Sequence, residues 1–500
     1  DRLLRLQQGQ AQRVDDRELL SGIILDQASE PDGTFWLATT QGVLRHAPPL
    51  WRTPPEAAHI DVPVHAITED ARGRLWFACT RWLGLLDGER WQFFSLPEGE
   101  RTHYYQTDSL VVLPDGKIVV RVENQAHLLI FDPQARQFTR IRHPEGKRFQ
   151  MISPRRQGGA WVVTASPDNS AGWLEVEVFD GRSFQPRHVL PVDPAFSSVR
   201  CLLETEYGEI WIGGAAGLGV IRAGGVHVFR PEEGYRASGT FSILSLGGGR
   251  LLLGGREDVI EYDGRQWKTL REGLDRVRSM IRARDGTIWL ASGTGVHRML
   301  PNAWVTNDRQ DGLPVDPAVE VFQDSRGRIW VGTNRGLSLF HPEADPWPPE
   351  TVMAETDNPR EVAPGAAARL VFKAVDKWHF TLPNRLLFSY RLDDGQWTPF
   401  HPEPHATLRG LTAGPHSIEV RAMDRNGNVD PTPAVYRFAV VAPWYRHPGF
   451  LALAAGCLVA FIALLALAVS EYRRRGRLVV ELEQARAAAE AANRAKSTFL

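Results

Sequence analysis

Residues 324–340 read DSRGRIWVGTNRGLSLF, which packs a turn, a tryptophan strand, a second glycine turn and another apolar strand into one short stretch. The same frame recurs as PDGTFWLATTQGVLRH from Pro31, ARGRLWFACTRWLGLL from Ala71, EYGEIWIGGAAGLGVIR from Glu206 and RDGTIWLASGTGVHRM from Arg284. Each copy sets a glycine three residues before a tryptophan: Gly33 and Trp36, Gly73 and Trp76, Gly208 and Trp211, Gly286 and Trp289, Gly327 and Trp330. Three weaker copies keep the frame with Val119 after Gly116, Trp161 after Gly158 and Leu252 after Gly249. The slots are spaced by about 42 residues, the period of a four-stranded propeller blade. Paired-helix solenoids repeat at a similar length, but their segments would show a period of 3.6, whereas these alternate as strands do. Within one unit, VHAITED, RLWFACT, LGLLD and RWQFFSL read as the inner to outer strands, joined by glycine turns. A blade buries both faces against its neighbours, so the tryptophans read as packing between blades rather than as ligand stacks.

The pattern D-x-x-G-x-[LI]-W-[LIV]-G-T-x-x-G-[LV], met in full at 324–337 and preceded by DRQDGLP at 308–314, resembles the two-component regulator propeller repeat of bacterial membrane sensors. The resemblance covers residues 1–342 and implies a mainly β fold with a seven- or eight-bladed propeller. RLLRLQQGQAQRV, from Arg2, reads as strands three and four of a blade. Either it closes the ring with the last blade, or it belongs to upstream blades of a longer protein.

Composition agrees with many short strands, since 16 Trp stand beside 45 Gly. Lys and Arg total 58 against 59 Asp and Glu, which leaves no overall field to hold nucleic acid. Cys79, Cys201 and Cys457 are too few and too scattered for a disulfide framework or a zinc site and read as buried apolar fillers. No methionine or signal peptide opens the chain, so a processed form or a fragment is expected.

After the proline-rich HPEADPWPPE the repeat stops. Residues 351–442 carry the alternating runs LVFKAV, LLFSYRLDDGQWTPF, HATLRGL, HSIEVRAMD and VYRFAVV, expected to form a small antiparallel sandwich with a tight turn at Asn426 and Gly427. FSYRLDDGQWTPF with LTAGPHSIEVRAMDRNGN resembles the Ig-like domain named for three tyrosines, with Tyr390, Trp397, Gly414 and Gly427 at matching positions. His416 and Phe388 stand where that family usually has tyrosine.

Residues 449–470 are uncharged and long enough for a transmembrane helix, with Trp444 and Tyr445 before them and Arg473, Arg474, Arg475 and Arg477 after. The arginines place the C-terminus in the cytoplasm and residues 1–448 outside it, in the periplasm of a Gram-negative cell, with the anchor in the inner membrane. In 471–500, Leu478, Leu482, Ala485, Ala489, Ala492, Lys496 and Phe499 follow a heptad spacing, expected to form a weak coiled coil in a homodimer. AAAEAANRAKSTFL, 487–500, resembles the segment upstream of the phospho-accepting histidine in sensor histidine kinases.

Phosphate-loop, paired-histidine and nucleophile-elbow motifs are absent from the sequence, so no catalytic, metal or cofactor-binding residue is assigned. A binding cluster for a sugar ring or peptide is expected at Arg81, Trp82, His103, Tyr104 and Tyr105, where a strand-to-strand loop and a blade-to-blade connection share one face. The whole implies the ligand-sensing part of a two-component sensor histidine kinase. Its ATP and Mg2+ would be held by a kinase domain beyond Leu500, its output would pass to a response regulator, and its ligand would be a small molecule or oligosaccharide. The alternatives are the same sensor with a diguanylate cyclase or DNA-binding output, and a membrane-anchored propeller lectin or enzyme without signalling.

Overall fold

The computed structural model describes residues 4–7, 10–13, 23–31, 33–102, 109–167, 172–236, 238–353, 358–446 and 448–497. Seven four-stranded antiparallel sheets form a closed ring over residues 51–340. Their innermost strands are Val64–Glu69, Leu110–Val112, Arg148–Pro154, Val199–Glu204, Ser242–Gly247, Ser279–Arg282 and Ala318–Gln323, and each packs beside the next around the circle. The sheets are termed blades 1 to 7 in that order. The first blade has its four strands at Val64–Glu69, Leu75–Cys79, Trp82–Asp87 and Arg90–Ser95.

The repeated glycines are turn residues with a backbone that other side chains resist: φ runs from +73° to +91° at all eight. Seven of the residues three positions on, from Trp76 to Trp330, sit in the second strand of a blade. Trp76, Trp211 and Trp330 are fully buried between neighbouring blades. The eighth, Trp36, lies outside the ring, in a separate three-stranded sheet of Ile24–Ser29, Phe35–Thr39 and Gly42–His46. Leu4–Gln7 and Gln10–Arg13 form a hairpin of their own rather than closing the ring.

Closure falls instead to Trp51–Arg52, which pairs with the last propeller strand through Trp51 opposite Phe340 and Arg52 opposite Leu339. Two residues suffice because the flanking Leu50 and Trp51 are buried completely and the Trp51 ring meets Trp289 and Phe340. Gly312, at φ +104°, lets the chain pass under this strand, since a Cβ there would come within 2.2 Å of the Trp51 carbonyl oxygen.

Beyond the ring, residues 350–440 form two packed sheets. One orders Glu350–Met353, Ala368–Val375 and His405–Leu408; the other orders Glu361–Val362, Ala434–Val440, Gly414–Met423 and Leu387–Leu392. Leu370, Phe372, Leu386, Phe388, Ile418 and Val420 fill the space between them. A continuous helix, Pro448–Ser497, follows. At 1.5 Å per residue it is about 75 Å long, and its apolar stretch has the length and composition to cross a membrane and is exposed along its length, with Phe450 at its start packed against Trp444. Cys79 and Cys201 are buried, and burial pushes the Cys79 thiol up to about 12. Cys457 corrects the expectation of three buried cysteines, because it lies exposed on this helix.

Candidate functional site: the junction of propeller and sandwich

The tryptophan repeat carries a local device that ties turn to strand within a blade. In blade 7, Asp324 Oδ2 accepts hydrogen bonds from Trp330 Nε1 at 3.0 Å and Arg328 Nε at 2.7 Å, while Oδ1 accepts the Arg326 and Arg328 N–H groups. The Arg328 guanidinium lies over the Trp330 ring. Asp70, Arg74 and Trp76 repeat this arrangement in blade 1. Burial works against both carboxylates, but the indole and backbone donors outweigh it and hold them below the usual carboxylate range. Two blades lacking this aspartate use other acids: Trp211 donates to Glu209, and Trp161 to Glu204 of the next blade.

Of the five residues expected to bind a ligand, Arg81 and Trp82 are described, and His103, Tyr104 and Tyr105 lie outside the described residues. Trp82 packs near Phe93 and His59, and Arg81 is exposed. Thr102, just before the other three, donates its N–H to the Thr80 carbonyl and its hydroxyl to the Cys79 carbonyl. The loop holding Arg81 and the connection leaving blade 1 therefore run side by side.

The most elaborated polar surface lies elsewhere, where blades 6 and 7 meet the sandwich. Asp308 and Asp311 bracket a short 3-10 turn in the DRQDGLP stretch. Asp308 Oδ1 accepts the Gln310 N–H and Asp311 Oδ2 accepts the Asp308 N–H, a reciprocal cap. Into this turn reaches Arg385 of the sandwich, whose guanidinium donates to Asp308 Oδ2 at 2.7 Å and to both Asp311 oxygens at 2.8 and 3.2 Å. Burial raises the Asp311 carboxyl, and the arginine opposes that rise.

A second arginine crosses in the other direction. Arg425, in the turn after Gly414–Met423, donates to the Thr306 carbonyl of blade 6 at 2.5 Å. Its own carbonyl accepts from Arg298 and Asn307 of that blade. Beneath these bonds Ala303 and Val305 of the propeller pack with Leu387 and Met423 of the sandwich. His297 of blade 6, buried behind them, is hydrogen-bonded through both ring nitrogens to Ser292 and Thr306. Its burial, with the nearby Arg271 and Arg425 charges, drops its pKa to about 3.

Three buried carboxylates lie under the same junction. Asp345 is pushed up to about 8 and Asp424 to about 7, and Asp376 is raised as well, by burial first and for Asp345 and Asp424 also by neighbouring aspartates. Sequence reasoning singled out none of the residues from Arg385 to the aspartates. DRQDGLP was read only as the approach to a blade and Asn426–Gly427 only as a turn, because their partners are distant in the chain.

Comparison with known proteins fits this architecture. Residues 312–335 match the model of the two component regulator propeller. The extracellular domain of the hybrid two component system BT3049 from B. thetaiotaomicron superposes with a TM-score of 0.54 at 16% identity, covering 84% of this chain and 62% of that one. The chain thus spans less than two thirds of that domain. A second such domain, BT4673 from the same organism, gives a TM-score of 0.49 at 15% identity over 89% of this chain and 66% of its own. No curated protein matches the sequence.

Proposed function

We propose that this seven-bladed propeller, one repeat of which matches the two component regulator propeller, is the ligand-sensing, signal-transmitting part of a membrane sensor whose output is a histidine kinase. The observation that carries this reading is one unbroken mechanical path. Blade 6 is bonded to the Arg425 turn, the strand before that turn pairs with Ala434–Val440, and that strand leads through Trp444–Arg446 into the exposed 50-residue helix. The two-sheet sandwich supports its assignment as the three-tyrosine, Ig-like module.

On this reading the propeller lies outside the cell, the helix crosses the inner membrane at 449–470, and Arg473, Arg474, Arg475 and Arg477 mark the cytoplasmic side. A small molecule or oligosaccharide held on the propeller, near Arg81 and Trp82, biases the docked sandwich. The heptad residues of two partner helices then settle into one of two packings and set the activity of the kinase, which holds ATP and Mg2+ and phosphorylates a response regulator. Sequencing the gene beyond Leu500 tests the output. A histidine within a dimerisation helix followed by an ATP-binding domain is expected, and a different domain there overturns the kinase reading.

A further inference from the structure

Three carboxylates from separate parts of the chain converge under the junction. Asp345 follows the turn Pro342–Ala344 in the linker, Asp376 follows the strand Ala368–Val375, and Asp424 follows Gly414–Met423. They are 2%, 0% and 0% exposed, and one oxygen of each lies within 4.8 Å of the others. Each is steadied from one side: Asp345 by the Trp347 N–H, Asp376 by the Thr381 N–H at 2.6 Å, Asp424 by the Asn428 N–H and side-chain amide at 2.8 and 2.7 Å.

Both Asp424 oxygens are thereby occupied, but one oxygen of each of the other two has no donor. Asp345 Oδ2 and Asp376 Oδ1 are buried without a hydrogen-bond partner among the described residues. A further observation stands apart from the acidic cluster. Asn426 Oδ1 is buried and unpartnered too, while its amide nitrogen donates to the Asp345 and Pro342 carbonyls and so holds that oxygen beside the linker. The cations whose charge reaches the cluster are engaged otherwise: Arg298, acting on Asp424, donates to the Arg425 carbonyl and lies over Trp289 and Phe340, Arg45, acting on Asp345, lies over Trp36 and Trp378, and Lys377 lies over the Trp347 ring at 4.1 Å.

We propose that Asp345, Asp376 and Asp424 bind a hard divalent cation, Ca2+ in preference to Mg2+, which fastens the interdomain linker to the sandwich. Ligand oxygens up to 4.8 Å apart fit two bonds of about 2.4 Å to one ion. The donor set is oxygen only, which disfavours zinc and other softer metals. Mg2+ keeps its waters and seldom enters a cage of several protein carboxylates, whereas Ca2+ takes them. Three buried like charges, two of them with a bare oxygen, also need a counter-charge to stay ionised. The stretch DRNGNVD, with oxygen-bearing side chains at Asp424, Asn426, Asn428 and Asp430, supplies the local turn.

The test uses the full chain in detergent, stripped with a chelator and titrated with Ca2+, Mg2+ or Tb3+. Ca2+ is expected to raise the unfolding midpoint, with Mg2+ at least about tenfold weaker. Tb3+ is expected to luminesce on tryptophan excitation because Trp347 adjoins the site, and excess Ca2+ should quench it. Asp376→Asn, nearly isosteric, should fold normally and lose both effects, while Asp61→Asn on the surface should keep them. Wild-type chain that shows neither effect overturns the proposal. So does an Asp376→Asn variant that retains both, or a stripped wild type that is stabilised by acid but indifferent to Ca2+, which would mark a protonated carboxyl cluster.

Discussion

At the residue scale, the repeat tryptophan is more than bulk. In blades 1 and 7 its indole N–H ends on a buried aspartate that also closes the preceding turn, so one side chain links turn, strand and inter-blade layer. Asp324→Ala should leave the Trp330 indole, Arg328 and two backbone N–H groups without their acceptor and destabilise the propeller by about 2–4 kcal/mol. A lowered urea midpoint followed by tryptophan fluorescence checks this, and the same change at exposed Asp285 should have little effect. His297 gives a pH prediction. Its folded pKa of about 3 lies below the unfolded value of about 6.5. The unfolded chain therefore takes up the proton first, and the stability conferred by the neutral ring is present above pH 6.5 and drains away as pH falls toward 3. His297→Gln should lower the melting temperature at pH 7.5 and flatten its decline between pH 6.5 and 4, as read by differential scanning calorimetry. His65, depressed to about 4 by burial, adds a slope of the same sign that remains in the variant.

At the scale of elements, the ring depends on a strand of two residues. Gly312→Ala must place a Cβ 2.2 Å from the Trp51 carbonyl in a left-handed backbone, whereas Gly327→Ala meets the backbone penalty alone, with open space around it. The backbone penalty is about 1–2 kcal/mol. Gly312→Ala should therefore cost clearly more than Gly327→Ala in thermal unfolding, and should expose the 51–52 segment to protease. The contrast shows what a sequence discloses. Gly-x-x-Trp could be read because it recurs at fixed spacing and its geometry is local. The closing pair Trp51 and Phe340 could not, since two residues after a proline run carry no strand period and their partners stand at the far end of the ring. The same reason placed Trp36 among the repeats although it belongs to a sheet outside the circle.

At the scale of the whole molecule, the junction decides whether propeller and helix act together. Arg385 and Arg425 were invisible in the sequence because arginine in a sandwich loop has no motif, and only the fold brings Arg385 to Asp308 and Asp311. Arg385→Ala would leave two poorly solvated carboxylates facing each other and should cost about 3–5 kcal/mol of docking energy, seen as separate propeller and sandwich transitions in calorimetry. Arg385→Lys, which keeps charge but not the fork, should lie between. The binding cluster around Arg81 was legible only as loop composition, and two of its five members can be placed.

The measurement that tests the coupling most directly is disulfide cross-linking in membranes of single cysteines at positions 478 to 489, in a Cys457→Ser background, with and without Arg385→Ala. The account predicts strong cross-linking at 478, 482, 485 and 489 and a changed pattern when the junction is broken. A flat profile, or a heptad profile untouched by Arg385→Ala, would contradict transmission from propeller to helix.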